Sequence, residues 1–279
     1  KFTEGKLKMD SKTMVSAYKE DSLGQDDALG IAEKIKSGIL DVKTVTEDSI
    51  ARAQSVNEDL NAIVAEDFDS ALNRSQGTFS GMFNGVPTFI KDTDEVQGLP
   101  LFLGSSTLPG EKSTKTSRAA QQILDTGLNC LGTTTTPEFG LTGTTESNRF
   151  GSTCNPWNTA YSTGGSSGGS SAMVAAGVIP IAHANDGAGS IRIPASCCGL
   201  VGMKASRGRI KDKEVPGYLP ANILHDGVVT RTVRDTWAFH SAIEKNVPAT
   251  EFPPIGDIAE KKPNNLLIAV LTEDCTGRQ

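Results

Sequence analysis

Gly164-Gly165-Ser166-Ser167-Gly168-Gly169-Ser170-Ser171 opens the stretch that decides how this chain is read. An apolar run follows, Ala172-Met173-Val174-Ala175-Ala176-Gly177-Val178-Ile179-Pro180-Ile181-Ala182. Then comes Asn185-Asp186-Gly187-Ala188-Gly189-Ser190-Ile191-Arg192-Ile193-Pro194. Two serine-bearing glycine turns therefore flank one apolar segment. Glycine lets a backbone turn sharply and approach a ligand closely. A serine on such a turn presents its hydroxyl beside backbone N–H groups, the parts of a nucleophile and an oxyanion hole. Gly/Ser runs are most often linkers, but these are short and interleaved with core-like residues. Asp186-Gly187-Ala188-Gly189 leads into Ser190, so consecutive N–H groups can converge on one anion-binding concavity.

Outward from this stretch, strands alternate with helices, which argues for an α/β fold. Ala28, Leu29, Ile31, Ala32, Ile35 and Ile39 recur at helical spacing behind Asp26 as N-cap. A second helix is expected from about Thr44, with Val45, Ile50, Ala51 and Ala53 on one face, broken by residues 57–61. Further helices are expected over 69–75, 117–125 and 172–177, and, preceded by Thr232-Val233-Arg234-Asp235, through Trp237 and Ile243. Strands are expected over 62–65, 87–91, 127–132, 178–184 and 266–271, with 198–204 a strand or tight core segment. Residues 133–158 read as a loop rich in Thr, Asn and Gly, a composition that either lines a site or merely connects. Residues 1–25 read as an N-terminal arm and 26–279 as the folded domain. A buried strand at 266–271 needs further neighbours, so a portion beyond this chain, or a second polypeptide segment, is expected to complete the sheet.

The chain has 279 residues, 37% hydrophobic and 22% charged, enough for one large domain or two modest ones. A net charge of −6 without a Lys/Arg block excludes a nucleic-acid footprint. No apolar run reaches membrane-spanning length. Five cysteines without metal-ligand spacing read as free, mostly buried thiols in a reducing compartment. A cytoplasmic location is expected on that ground, although the chain starts at Lys1. Neither a cofactor nor a metal site is expected.

Periodicity alone puts Lys91, at the end of the Gly85-Val86-Pro87-Thr88-Phe89-Ile90 run, in solvent. His183 reads as a satisfied core histidine on an apolar strand, and His240 as structural on a helix. His225 precedes Asp226-Gly227 on an expected loop. No nucleophile elbow accompanies these histidines, so a Ser-His-Asp triad is not supported.

Taken together, the quoted motifs and the Gly85-Val86-Pro87 to Lys91-Asp92 segment resemble the amidase signature family of serine hydrolases. The resemblance runs from about residue 26 to the C-terminus. It implies a mixed central β-sheet covered by helices on both faces, a three-layer α/β/α arrangement. It implies a Ser-Ser-Lys triad in which Ser190 is the acyl-forming nucleophile, Ser166 the bridging serine after a cis peptide at Gly165, and Lys91 the terminal base. On this ground Lys91 moves from solvated to catalytic, because burial destabilises an ammonium and frees the amine. Backbone N–H groups of Gly187, Ala188, Gly189 and Ser190 are implied as the oxyanion hole. Ser167 joins the substrate-binding residues, and Asp186 and Arg192 support the site.

Ala188 stands where the family often has glycine, and Thr133 and Thr135 where it commonly has lysine and asparagine. The implied activity is hydrolysis of a small carboxylic amide, including linear or cyclic oligoamides, with no nucleic-acid or membrane partner. Two alternatives stay open: an amidotransferase subunit supplying ammonia to acylated tRNA, and a non-catalytic binding protein on the same fold. Assembly into a homo-oligomer also stays open.

Overall fold

The structure, a computed structural model, describes residues 14–206, 209–210, 223–246 and 253–256. In chain order it forms α1 (Ala28–Lys36), α2 (Val42–Leu60), β1 (Ile63–Glu66), α3 (Phe68–Ser75), β2 (Pro87–Lys91), α4 (Arg118–Leu124) and β3 (Asn129–Thr134). Two small hairpins follow, β4 (Glu146–Ser147) with β5 (Gly151–Ser152) and β6 (Cys154–Asn155) with β7 (Asn158–Ser162). The chain continues through α5 (Gly168–Ala175), β8 (Ile181–Asp186), α6 (Arg192–Cys198), β9 (Val201–Gly202), β10 (His225–Thr230) and α7 (Val233–Asn246).

Two three-stranded ladders, β1-β3-β2 and β8-β10-β9, make the centre. β2 runs parallel to β3, while β1–β3, β8–β10 and β10–β9 are antiparallel, so the strands are mixed. β2 lies beside β8, where Thr88 Oγ1 donates to the Ile181 carbonyl at 3.0 Å. β2, β3, β8 and β10 are buried along their whole length.

Strand side chains alternate between faces, and here the alternation separates two cores. Phe89, Leu131, Ala182 and Val229 point into one, with Ile50, Ala53 and Val56 of α2 and Met173 and Val174 of α5. Their neighbours Ile90, Cys130, Ile181 and Val228 point into the other, with Ile31 of α1, Ile123 of α4 and Phe239 of α7. Each such large apolar side chain contributes about 1.5–3 kcal/mol on full burial. Helices on both faces of a mixed sheet give the three-layer α/β/α arrangement.

Several local expectations shift. Asp27, not Asp26, caps α1, its carboxylate accepting the Gly30 N–H at 3.0 Å. That helix stops at Lys36, where Gly38 turns the chain at φ 75°, and Ile39 is exposed. α2 starts behind Asp41, runs unbroken to Leu60 and leaves Ala51 on its exposed face; left-handed Asn61 ends it. The short helix α6 was not anticipated. Its Pro194 sits in the first turn, where a missing N–H breaks no helical bond. His225 lies on strand β10, not on a loop, and is fully buried.

The described part of the N-terminal arm, residues 14–25, has no helix or strand but is fastened to the body. Ala17 N–H donates to the Ala176 carbonyl at 2.7 Å, and buried Arg52 links Asp21 to the Gly177 carbonyl. Among the described residues no helix is long and apolar enough to cross a membrane. The expected strand at 266–271, like Cys275, lies outside the described residues.

Candidate active site

Lys91 closes β2 and is fully buried, against the solvated position that periodicity alone suggests. The reason is its strand: flanked by β3 and β8 and covered on both faces, β2 carries its last side chain inward. Lys91 Nζ is 2.7 Å from Ser166 Oγ and 2.6 Å from Asn185 Oδ1. Ser166, also buried, stands just before α5, and the Gly165–Ser166 peptide bond is cis. Only glycine fits at position 165, since a Cβ there would lie 2.5 Å from the Thr144 carbonyl oxygen. Ser167 is fully buried and touches the main chain of Asn185 through its hydroxyl at 3.3 Å. It therefore joins the serine turn to β8 and is absent from the cavity wall where it was expected to meet substrate.

The loop after β8 is shaped by one carboxylate. Asp186 Oδ1 accepts the Gly189 N–H at 2.6 Å, and Oδ2 accepts the Ile191 N–H at 3.2 Å. The Arg192 side chain adds two bonds, Nε to Oδ2 at 2.8 Å and Nη2 to Oδ1 at 3.0 Å, and its backbone N–H a third, to Oδ2 at 3.4 Å. Gly189 holds φ 121°, a backbone conformation open to glycine and costly for other residues. Its amide, expected among the oxyanion donors, is thus taken by Asp186. Gly187, Ala188 and Ser190 line the cavity.

Burial opposes the Asp186 charge, but the Arg192 guanidinium and the two amides override it and hold the carboxyl at about 2. A carboxyl depressed on folding stabilises the protein above its ordinary range near about 4 and loses that contribution as pH falls. Thermal unfolding followed against pH is therefore expected to show a stability loss as pH falls through about 2. The Asp186→Asn variant should start less stable and lack that part of the acid loss.

A cavity of about 620 Å³ opens over the two serines. Thr93, Ser166, Asn185 and Ser190 supply polar groups to its wall, and Leu103, Phe139, Leu141, Ile193 and Leu224 supply apolar surface. No ionisable side chain is among the described residues lining it. Residues 139–143 come from the long segment after β3, so that segment does line the site. Its edge is fastened by the Phe139 N–H to the Leu103 carbonyl at 2.7 Å. Both residues sit at positive φ, 53° and 51°. Asp92 holds the Leu103 turn from below, accepting the N–H groups of Phe102 and Gly104 at 3.0 Å each. Burial pushes its carboxyl up to about 6 against those bonds.

Asn185 and Thr93 escaped the sequence reading. Asn185 stands in the quoted motif directly before Asp186, and Thr93 two positions after Lys91, but neither pattern betrays that a strand end brings them together. Asp94, His183 and Asp226 likewise meet, with potential ligand atoms within 4.8 Å of one another. The imidazole there accepts the Lys91 backbone N–H on Nδ1 at 3.1 Å, so its hydrogen is on Nε2, 3.2 Å from Asp226 Oδ1. A metal ion would need the lone pair that this bonding replaces with a proton. His183 is the satisfied core histidine its strand suggested. Burial lowers His240 to about 4, and burial raises the thiols of Cys130 and Cys198 to about 11 and about 12. Cys197, by contrast, is exposed and Cys154 partly so.

The family described as Amidase matches residues 44–277. The chain is 46% identical over 263 residues to the protein named "Putative amidase AmiC" of Mycobacterium bovis, covering 92% of this chain and 55% of that one. It is 38% identical over 269 residues to 6-aminohexanoate-cyclic-dimer hydrolase of Paenarthrobacter ureafaciens, covering 90% and 53%. A solved structure of 6-aminohexanoate cyclic dimer hydrolase superposes with a TM-score of 0.72 at 40% identity, over 80% of this chain and 47% of that one. The chain thus spans about half the length of the curated relatives it matches. A match of that extent, on a fold that sets a buried lysine against the serine of a glycine turn, places the chain in the Amidase family.

Proposed function

We propose that this chain carries the catalytic serines and lysine of an enzyme that hydrolyses uncharged carboxylic amides through an acyl-enzyme. The observation that carries the reading is the 2.7 Å contact between Lys91 Nζ and Ser166 Oγ, both buried, beneath a cavity that Ser190 also lines. A neutral Lys91 takes the Ser166 hydroxyl proton as Ser166 takes that of Ser190. Ser190 Oγ then bonds to the amide carbon, and the carbonyl oxygen gains the negative charge. Amides of the loop from Gly187 to Ser190, less that of Gly189, stabilise it. The C–N bond breaks as the proton returns through Ser166 to the leaving nitrogen. Water attacks the acyl-enzyme by the same relay, releasing the acid and restoring Ser190.

Support for the substrate class comes from the wall. A charged group entering a cavity without a counter-ion loses hydration and gains no partner, whereas apolar chains on either side of the amide gain by burial against Leu103, Phe139 and Ile193. The hydrolysis of a cyclic amide dimer by a relative accords with this. An ammonia-supplying subunit acting on glutamine fits less well, since glutamine's charged backbone groups find no counter-ion among the described lining residues.

The test is amine release by the full chain from an apolar cyclic or N-alkyl amide, an acidic analogue of equal length, and glutamine. The apolar amide is expected to exceed the others in kcat/KM by about 100-fold. Turnover of glutamine alone, or of no amide at all, would reject the reading.

A further inference from the structure

We propose that Asn185, oriented by Thr93 and Asp94, is a positioning residue that turns the lone pair of Lys91 toward Ser166. The inference rests on reading Lys91 as the base. Its ground is a directed chain of hydrogen bonds. Asp94 as a carboxylate only accepts, and it takes the Ser117 hydroxyl on Oδ1 at 2.8 Å and the Thr93 hydroxyl on Oδ2 at 3.1 Å. With its hydrogen so placed, Thr93 Oγ1 offers a lone pair to Asn185 Nδ2 at 2.6 Å. That fixes which way the carboxamide faces, and Asn185 Oδ1 meets Lys91 Nζ at 2.6 Å.

A carbonyl oxygen cannot donate, so a neutral amine keeps an N–H on Asn185. The Ser166 hydroxyl can donate or accept. Of these two partners, only Ser166 can give the amine a proton. Meanwhile His183, two residues earlier on β8, holds the Lys91 main chain. One strand thereby fixes both the backbone and the head of the same residue.

The experiment is the pH dependence of kcat and KM for the full chain and three variants. Asn185→Asp places a carboxylate against the amine and favours its ammonium form. The midpoint of the rising limb of kcat/KM should move up by about 1–3 pH units, with kcat near neutral pH falling about 10- to 100-fold. The other ionisable groups of the surrounding segments are common to both proteins. These are Asp92, bound to the Phe102 and Gly104 amides; Asp94 on Ser117 and Thr93; His183 on Asp226; and Asp186 on Arg192. Thr93→Val keeps the shape but removes the acceptor. It should lower kcat about tenfold with KM within about twofold, and Thr93→Ser should restore it.

An Asn185→Asp midpoint equal to that of the parent, or an undiminished kcat in Thr93→Val, would overturn the proposal. If the Asp variant does not fold, the valine and serine pair decides it. Full activity of a Lys91 variant would instead refute the base, a separate outcome.

Discussion

Ser190→Ala is expected to lower kcat by about 10⁴-fold or more, the scale seen when a serine nucleophile is removed. Ser190 is partly exposed on the cavity wall, in a loop whose shape comes from Asp186 and not from the serine hydroxyl. Its removal should therefore leave the melting temperature within about 1–2 °C of the parent, because surface substitutions change stability little. Rapid quench with an activated apolar amide or ester, followed by intact mass, should show one acyl group on the parent and none on the variant. An acylated Ser190→Ala protein, or one that turns over amide at the parental rate, would place the nucleophile elsewhere.

Lys91→Met is expected to cost nearly as much, about 10³- to 10⁴-fold in kcat. Methionine fills most of the buried volume, so the loss reports the amine and not a cavity. It also leaves Asn185 Oδ1 without the partner it has at 2.6 Å, so a modest loss of stability should accompany it. In the parent, kcat/KM should rise with pH as the amine loses its proton, since only the neutral form can accept from Ser166. The variant should lack that limb while binding an unreactive apolar analogue with unchanged affinity. A parental profile without a rise between acid and neutral pH would count against a neutral lysine as base.

Part of the centre of the fold was legible because its residues carry local signals. The strand at 181–186 follows a proline and is wholly apolar until His183. The serine turns show themselves through glycines that leave no room for a side chain. Lys91 was not legible by periodicity: a lysine ending a strand looks solvated, and only the family motif reversed that reading. β10 was missed for a related reason. His225-Asp226-Gly227 has the composition of a turn, yet His225 and Asp226 are buried and Asp226 meets His183 from a strand distant in sequence. Asn185 and Thr93 belong to the same class. Each is an ordinary polar residue whose meaning comes from β2 and β8 lying side by side, which brings their ends together. Boundaries such as Asp26 for Asp27 reflect two adjacent aspartates equally able to cap. The excess length given to the first helix reflects an apolar Ile39 beyond the glycine that ends it.

Phe89 and Ile90 point into opposite cores immediately before Lys91, while residues 139–143 of the cavity wall contribute no side chain to either core. On the proposed reading, reactivity and substrate choice are therefore anchored in different materials. Thermostabilising changes near Phe89, Ile90, Ala182 or Ala184 should disturb turnover together with rigidity. Exchange of Phe139 or Leu141 should redirect which amides are accepted at little expense to folding. On the proposed reading, the rim can be rebuilt to admit other amides while the contact between Lys91 and Ser166 beneath it stays untouched.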